Sequence, residues 1–282
     1  MRTPAPVNMK PKKTFHARHP RRGPAPHGAA RGPKTSWEGV SRWYGSYLDT
    51  ENTVQEAVVF PGAERLLSPA SGKRYLDIAC GEGAFTRLIA RKPGVRVAGF
   101  DAAPSLVERA KTRAPKNAEY AVADARNFAS KYPAASFDGA TCILAIQNID
   151  DIAPVFRDAA KVLATGARLV IVMNHPAFRQ LRQSGWGWDE NRKLQYRRVD
   201  KYLGSYDVPV QAHPGSKPGI VTHSYHRPLQ AYAQELSKNG FVIENLEEWT
   251  SHKTSDSGPK AKAENVARLE IPMFLALVAI KK

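Results

Sequence analysis

Short apolar runs alternate with longer amphipathic segments along most of this chain, a pattern that predicts strands followed by helices. Residues 75–79 form an apolar run of strand length, and residues 84–91 carry apolar side chains at helical spacing on one face. Residues 95–100 form a second apolar run. A strand–helix–strand unit of this size predicts a right-handed crossover between neighbouring strands of a parallel sheet.

The same alternation continues to the end of the chain. Further strands are predicted at residues 120–123, 136–146, 168–173, 241–249 and 271–281, and further helices at residues 106–113, 152–164 and 229–239. Residues 177–227 break the pattern, because they are rich in aromatic, histidine and arginine side chains and are too long for an ordinary loop. We expect them to form a cap over a ligand pocket, with strands near residues 195–202 and 220–224.

A glycine turn joins the first predicted strand to the first helix. Gly81 and Gly83 have no Cβ, so the turn can adopt positive φ and the backbone can approach a ligand closely. Asp101 follows Gly83 by 18 residues, at the carboxyl end of the next strand. Ligands of such sheets bind outside the carboxyl ends of the strands, and a carboxylate there accepts hydrogen bonds from a ribose diol. The predicted ligand is therefore a nucleoside.

The segment Asp77-x-Ala79-x-Gly81-x-Gly83 resembles the first motif of class I S-adenosylmethionine-dependent methyltransferases. That motif is an acid followed by three alternating glycines, and Ala79 replaces the first of them. The dinucleotide-binding fingerprint fits less well, because Thr86 stands where its third glycine would be. The resemblance covers residues 60–175 by motif and residues 228–282 by the order of elements.

This resemblance implies an α/β fold of three layers, with a Rossmann-like, seven-stranded sheet. The strand order would be 3-2-1-4-5-7-6 with strand 7 antiparallel, and residues 177–227 would be a cap insertion after strand 5. Residues 36–282 would form one methyltransferase domain. In this family an N-terminal segment often covers the cofactor, and residues 36–67 are predicted to do so here as two helices.

The resemblance also implies S-adenosylmethionine as the cofactor. Asp101 would bind the ribose, and Asp124 would accept a hydrogen bond from the adenine amine, since a carboxylate only accepts. Main-chain carbonyls of Leu144 and Ala145, at the end of the fourth strand, would hold the methionine ammonium. The complete set of predicted cofactor residues is Asp77, Ala79, Cys80, Gly81, Gly83, Asp101, Ala102, Asp124, Ala125, Leu144 and Ala145.

Three histidines are candidates for a catalytic base, should the acceptor have to lose a proton. His175 is the first, because it follows the fifth strand at the ligand edge of the sheet; His223 and His226 in the cap follow it. Aromatic and cationic side chains suit a planar or anionic acceptor. The candidate acceptor-binding residues are Tyr44, Tyr47, Trp186, Tyr196 and Arg197. For each of these residues a role in packing alone stays open.

Cysteine content and hydropathy limit the class of protein further. Only two cysteines occur, Cys80 in the glycine turn and Cys142 in a predicted strand, so a disulfide framework is not expected. No apolar run approaches the ~18 residues that span a bilayer, and we expect a cytoplasmic location. His223 and His226 lack a cysteine or acid at ligand spacing, so no metal site is predicted.

The net charge of +16 is concentrated at the N-terminus. Residues 1–35 contain nine Lys or Arg, seven Pro and no acid, with few large apolar residues. Such a segment cannot bury enough apolar surface to offset its ordering entropy, so we expect it to be disordered. Two interpretations stay open: contact with RNA, DNA or another anionic surface, or a solvated tail with no specific partner.

The function favoured by these patterns is methyl transfer from S-adenosylmethionine to a small-molecule acceptor enclosed by the cap. An RNA methyltransferase that uses the basic tail is the alternative. Residues 147–151 lack the Pro-Pro-aromatic motif typical of enzymes that methylate base amines. An NAD(P)-dependent oxidoreductase and a non-catalytic nucleic-acid-binding protein are further alternatives. The sequence predicts neither the acceptor nor the oligomeric state.

Overall fold

A computed structural model describes residues 37–40, 52–211 and 221–282. Four sequence-based predictions lie outside these residues. They are the tail at residues 1–35, the candidate acceptor residues Tyr44 and Tyr47, and most of the first of the two helices expected in residues 36–67. In the described part of the chain, no helix is both long and apolar enough to cross a membrane.

A seven-stranded sheet forms the centre of the described structure. Its strands are β1 Arg74–Ile78, β2 Arg96–Asp101, β3 Ala118–Val122, β4 Phe137–Ile143, β5 Leu163–Asn174, β10 Phe241–Trp249 and β11 Phe274–Lys281. The order is β3-β2-β1-β4-β5-β11-β10. The first five strands pair in parallel, and β11 is antiparallel to both of its neighbours. The predicted strand order and the antiparallel last strand are confirmed.

Six α-helices flank this sheet in the described residues. They are α1 Phe60–Leu67, α2 Ala84–Ala90, α3 Pro104–Thr112, α4 Ala153–Val162, α5 Leu229–Lys238 and α6 Ala261–Glu270. A π-helical turn, Gln55–Val59, leads into α1. Helices α1, α3 and α4 each have a proline in the first turn, where the missing amide hydrogen costs no helical bond. Helix α6 was not predicted; residues 251–262 were expected to be a polar loop.

Both faces of the sheet are buried. Along β11, Leu275 and Leu277 pack into one hydrophobic cluster, whereas Phe274 and Ala276 pack into the other. Successive side chains of a strand point to opposite faces, so an uninterrupted apolar strand requires cover on both sides. Helices α4 and α5 cover the first face, and α1 and α2 cover the second. The result is the three-layer arrangement that the sequence predicts.

The cap consists of two separate two-stranded sheets. Strands β6 Ser184–Asp189 and β7 Leu194–Val199 form the first hairpin, and β8 Tyr206–Gln211 and β9 Val221–His226 form the second pair. Strand β7 packs on α6, whereas β9 packs on the 3-10 turn Ile146–Asn148 at the end of β4. The second pair lies at the ligand edge of the sheet, whereas the first packs on α6; the prediction that residues 177–227 cap an acceptor pocket stays a prediction.

Candidate functional site

A cavity of about 450 Å³ opens at the carboxyl ends of β1 to β4. Ten of the eleven predicted cofactor residues line it, and Gly83 is the exception. The segments before β1 supply further walls through Trp37, Glu38, Gln55 and Phe60. This position, outside the carboxyl ends of parallel strands, is where open α/β sheets bind ligands.

The turn after β1 is tied to the end of β2 through one carboxylate. Asp101 accepts hydrogen bonds from the amides of Gly81 (to Oδ2) and Ala103 (to Oδ1), both at 2.9 Å. Burial raises the pKa of Asp101, although the backbone amides act against that rise. Each carboxylate oxygen keeps acceptor capacity beyond these bonds. Asp101 can therefore hold the turn and accept from a ligand hydroxyl.

Three residues of the motif have positive φ. The angles are +55° at Ala79, +58° at Gly81 and +74° at Gly83. A Cβ on Gly83 would lie 2.6 Å from ring atoms of Tyr120. Packing against Tyr120 thus accounts for Gly83, which does not line the cavity, and its contact with the cofactor stays a prediction. Ala79 adopts a left-handed conformation that favours glycine, which is the residue of the resembled motif at that position.

Asp77 is buried in the cavity wall and organises three elements. Its Oδ2 accepts from the Thr86 hydroxyl of α2 at 2.6 Å, and its Oδ1 accepts from the Thr141 hydroxyl of β4 at 2.9 Å. Burial raises the pKa of Asp77 to about 6, while the two threonine hydroxyls act in the opposite direction. Asp77 consequently joins β1, α2 and β4 next to the glycine turn.

A buried carboxylate inside the glycine turn was missed. Glu82 is 1% exposed, and its Oε2 accepts from Nε of Arg109 at 2.9 Å. Arg113 and Arg87 lie 3.4 Å and 3.8 Å from its Oε1. This cluster joins the turn to α3. The sequence does show an acid, Glu82, between two glycines. It does not show that arginines from two different helices surround this acid.

Asp124, at the end of β3, is held by Arg126. The Arg126 guanidinium donates to Oδ2 at 2.6 Å, and the Arg126 amide donates to Oδ1 at 2.8 Å. These bonds lower the pKa of Asp124. Arg126 also donates to Asp150 at 2.9 Å, and both residues line the cavity. Asp124 therefore stays an ionised acceptor at the cavity wall, in a network that the sequence did not reveal.

The Leu144 carbonyl at the end of β4 is already occupied. It accepts from Nε2 of Gln147 at 2.7 Å and from Nδ2 of Asn148 at 3.2 Å. A carbonyl oxygen has two lone pairs, and both are used here. A contact of this carbonyl with a ligand ammonium would require one of these side-chain amides to move, and it stays a prediction. The Ala145 carbonyl accepts from the amide of Asn148 at 2.8 Å, and Asn148 itself lines the cavity.

His175 does not line this cavity, and both of its ring nitrogens are engaged. Nε2 lies 2.7 Å from Oε1 of Glu248, and Nδ1 accepts from the amides of Ala177 and Phe178 at 3.1 and 3.3 Å. Burial lowers the pKa of His175, and Glu248 acts against that shift. These bonds fix the ring as a cap of the turn after β5, and the role of His175 as a base stays a prediction.

The two cap histidines also lie away from the cavity wall. Nε2 of His226 is 2.7 Å from the Tyr202 carbonyl, and the ring stacks on Tyr206 at 4.7 Å between centroids. Nδ1 of His223 is 3.4 Å from a carboxylate oxygen of Asp207. Both rings support the second strand pair, and their role as bases stays a prediction. Among the described residues, no group of three or more His, Cys, Asp or Glu could hold a metal ion.

The predicted acceptor residues of the first hairpin do not reach the cavity either. Arg197 donates from Nε to the Phe178 carbonyl at 2.7 Å, and its guanidinium lies 5.1 Å above the Trp186 ring. The Tyr196 ring covers Gly187 so closely that a Cβ there would lie 2.3 Å from it. These contacts stabilise the hairpin itself, and the roles of Trp186, Tyr196 and Arg197 in binding an acceptor stay predictions.

One cap residue does line the cavity, and it was missed. Tyr225 of β9 is 9% exposed, and its hydroxyl is buried without a hydrogen-bond partner. Burial raises the pKa of this phenol. The alternation of β9 places Tyr225 on the same face as His223, and the sequence does not show which of the two reaches the ligand edge of the sheet.

Comparison with known proteins agrees with this geometry. Residues 76–171 match a family model described as a methyltransferase domain. The chain is 32% identical over 124 residues to a demethylmenaquinone methyltransferase from Tropheryma whipplei, which covers 44% of this chain and 51% of the relative. It is 35% identical over 121 residues to a 2-phytyl-1,4-naphthoquinone methyltransferase from Synechococcus elongatus, with coverage of 40% and 52%. The chain thus spans about half the length of these curated relatives.

A solved structure extends the similarity over most of the described fold. The crystal structure of an S-adenosylmethionine-dependent methyltransferase from Mesorhizobium loti is 26% identical, with a TM-score of 0.65, and the match covers 82% of this chain and 99% of that one. The predicted fold is confirmed, and the predicted family and cofactor class are those of the matched domain and of this solved structure. The chain thus has the class I Rossmann-like fold of S-adenosylmethionine-dependent methyltransferases, with a methyltransferase domain matched at residues 76–171.

Proposed function

We propose that this protein transfers a methyl group from S-adenosylmethionine to a small-molecule acceptor of the quinone or phenol type. The observation that carries the proposal is the 450 Å³ cavity, with Asp101 and Asp124 at the ends of adjacent strands and apolar side chains around them. Cavities of this size and lining are typical of small-molecule and cofactor sites. The curated relatives act on quinones, as their names state.

The residues present fit the cofactor at the nucleoside end. Asp101 is fixed by two amides and can accept from a diol, and Asp124 is kept ionised by Arg126 and can accept from an amine. Phe60, Phe85 and Leu106 supply apolar walls. When bound, S-adenosylmethionine supplies an electrophilic methyl group. The chain contributes binding and orientation, which account for much of the acceleration in such a transfer.

Two measurements test this proposal. Calorimetric titration of the full chain with S-adenosylmethionine and, separately, with NADH is expected to give binding of S-adenosylmethionine alone. Transfer from radiolabelled S-adenosylmethionine is then followed with hydroxylated naphthoquinones, with simple phenols and with RNA as acceptors. Label in a quinone or phenol supports the proposal. Binding of NADH alone, or label in RNA alone, would contradict it.

A further inference from the structure

A second, smaller cavity lies next to the first. Its volume is about 30 Å³, and Tyr225 borders both cavities. One water needs roughly 10–15 Å³ in this measure, so the second cavity holds two or three water-sized groups. Its walls come from the turn after β5, the end of β4 and the β8–β9 pair. No role has been given to it so far.

Three buried polar atoms without partners belong to residues that line this second cavity. They are Oε1 of Gln147, the hydroxyl of Tyr225 and Nη1 of Arg227. Buried polar atoms in folded proteins are nearly always hydrogen-bonded, and leaving one unsatisfied costs free energy. The three atoms are an acceptor, a hydroxyl and a charged donor. Their position around one cavity indicates that a polar group binds between them.

Arg227 brings a positive charge to the cavity, and its guanidinium lies 5.7 Å from the centroid of the Tyr225 ring. Its Nη2 donates to the carbonyls of Ile149 and Asp150, both at 2.7 Å, which fixes the guanidinium. In the part of the chain that the structure describes, no carboxylate lies within 4 Å of it, because the Asp150 side chain pairs with Arg126. Burial raises the pKa of the neighbouring Tyr232 phenol, and the Arg227 guanidinium acts against that rise. A half-buried cation needs an anionic partner to offset its desolvation.

A second arginine lines the same cavity. Arg179 is partly buried, and within the described residues its guanidinium makes neither a hydrogen bond nor an ion pair. Burial lowers the pKa of Arg179, and so do the neighbouring charges of Arg197 and Arg268. A water molecule could bond to the three unpartnered atoms, but it could not neutralise two cations. An anion can accept hydrogen bonds from both guanidinium groups and from the Tyr225 hydroxyl, whereas Oε1 of Gln147 is itself an acceptor and requires a separate donor such as a water molecule.

We propose that the second cavity is an anion subsite in which Arg227, Arg179 and Tyr225 bind an acidic oxygen group of the acceptor, either a carboxylate or an ionised hydroxyl. The inference rests on the proposed function, because the anion subsite would hold the acceptor in the second cavity, which Tyr225 separates from the cofactor cavity. An ionised hydroxyl held by two arginines needs no protein base. His175 and His226 line the second cavity, but Nε2 of His175 is bonded to Glu248 and Nε2 of His226 to the Tyr202 carbonyl.

Binding of small anions to the full chain, without S-adenosylmethionine, tests the subsite directly. Sodium formate is the probe for a carboxylate and 4-nitrophenolate is the probe for an ionised hydroxyl, with sodium chloride added to equal ionic strength. A ligand that binds only the folded state raises the melting temperature in a saturable way. We expect a saturable rise with at least one of the two probes relative to chloride. No rise with either probe would overturn the proposal.

Matched variants locate the effect. Arg179→Gln and Tyr225→Phe are each expected to weaken anion binding at least tenfold, and Arg227→Gln to abolish it. Arg198→Gln removes the same charge from the surface of β7, where Arg198 pairs with Asp200 at 2.7 Å, and should leave anion binding unchanged. An equal response in all four variants would show non-specific anion binding and overturn the subsite.

Arg179→Gln also separates binding from structure. Arg227 anchors two carbonyls, so its loss can weaken the fold. Arg179 makes no such bonds, and in chloride Arg179→Gln is expected to melt at the same temperature as the wild type or higher. A marked fall would show a structural role and count against the proposal. Failure to bind S-adenosylmethionine would instead overturn the proposed function, while the formate and 4-nitrophenolate results would stand.

Discussion

The Gly81 amide donates a 2.9 Å hydrogen bond to Asp101, and this bond fixes the turn after β1 against the end of β2. The two residues lie 20 positions apart in the chain. The same carboxylate also accepts from the Ala103 amide, so its orientation is set by two donors before any ligand binds. A carboxylate oriented in advance loses little entropy when it accepts further hydrogen bonds.

Asp101→Asn is therefore expected to weaken S-adenosylmethionine binding strongly. The amide side chain places an N–H group opposite one of the two backbone donors and loses the charge that strengthens bonds to a ligand. A hydrogen bond to a charged group contributes about 1.5–3 kcal/mol, which corresponds to roughly 10- to 100-fold in affinity. Calorimetric titration of the variant measures this change.

Asp158→Asn is the matched control. Asp158 is buried and accepts from the amides of Phe128 and Ala129 at 2.9 and 3.1 Å, but it does not line the cavity. Both variants should lower the melting temperature, since each disturbs a carboxylate that bonds two amides. Only Asp101→Asn should weaken S-adenosylmethionine binding. An equal loss of affinity in both would mean that the effect is general destabilisation.

Ala79→Gly is expected to stabilise the protein. Ala79 has φ of +55°, a conformation that costs a residue with a Cβ about 1–2 kcal/mol. Glycine removes that cost but loses more entropy on folding, by about 0.5–1 kcal/mol. The expected net gain is about 0.5–1 kcal/mol in the free energy of unfolding. Urea denaturation measures it.

Ala135 offers the comparison for this substitution. It has φ of +50° in an exposed turn before β4, away from the cavity. Ala135→Gly should give a similar gain in stability without any change in S-adenosylmethionine affinity. Ala79→Gly alters the cavity wall, so its affinity should change. A loss of stability in Ala79→Gly would show that the Ala79 methyl group makes packing contacts that outweigh the strain of its backbone.

The sheet was predictable because its strands are buried on both faces. Residues 168–173 and 271–281 read as uninterrupted apolar runs, and β5 and β11 follow them closely. Apolar runs predict where strands form but not the order of the strands in the sheet. That order was predicted from the resemblance of the motif around Asp77 to the first motif of class I S-adenosylmethionine-dependent methyltransferases. Helix α6 was missed because only Ala267 is buried and its apolar residues Val266 and Leu269 are exposed, so its sequence shows no apolar face.

The sequence predicted the residues of the candidate site only where they lie at the ends of strands. Asp101 and Asp124 each end a strand or directly follow one, and the topology of the sheet brings them together. His175 has a suitable position and chemistry, but Glu248, 73 residues later, takes its Nε2. The position of Tyr225 at the cavity depends on how the β8–β9 pair packs on the turn Ile146–Asn148. Contacts of that kind depend on loop conformation, which hydrophobic periodicity does not encode.

Asp77→Asn is expected to change how stability depends on pH. Burial raises the pKa of Asp77 to about 6 from its ordinary 3.8, so the folded state binds a proton more tightly than the unfolded state. The contribution of Asp77 to stability therefore falls as pH rises through this window. Relative to the wild type, Asp77→Asn should gain about 1–2 kcal/mol in the free energy of unfolding between about pH 5 and about pH 7.5.

Urea denaturation at several pH values measures this difference, and Asp138→Asn is its control. Burial acts to raise the pKa of Asp138, but hydrogen bonds from the Arg74 amide and the Lys73 ammonium lower it overall. Its stabilisation is lost only below the ordinary carboxyl pKa, so Asp138→Asn should differ from the wild type by a constant amount above about pH 5. A constant difference for Asp77→Asn as well would contradict the raised pKa.

Deletion of residues 1–35 tests the two interpretations of the basic segment. The sequence predicts that this segment has no packed core, so the melting temperature and the affinity for S-adenosylmethionine should stay nearly unchanged. If the segment contacts RNA, nine cations are removed, and the slope of log affinity against log salt should fall accordingly. A chain of equal length with these nine Lys and Arg replaced by Gln separates charge from length. A large fall in melting temperature on deletion, absent in the Gln-substituted chain, would show that the segment packs on the domain. Transfer to quinones or phenols that survives both changes would mean that the segment is not needed for methyl transfer, whatever else it binds.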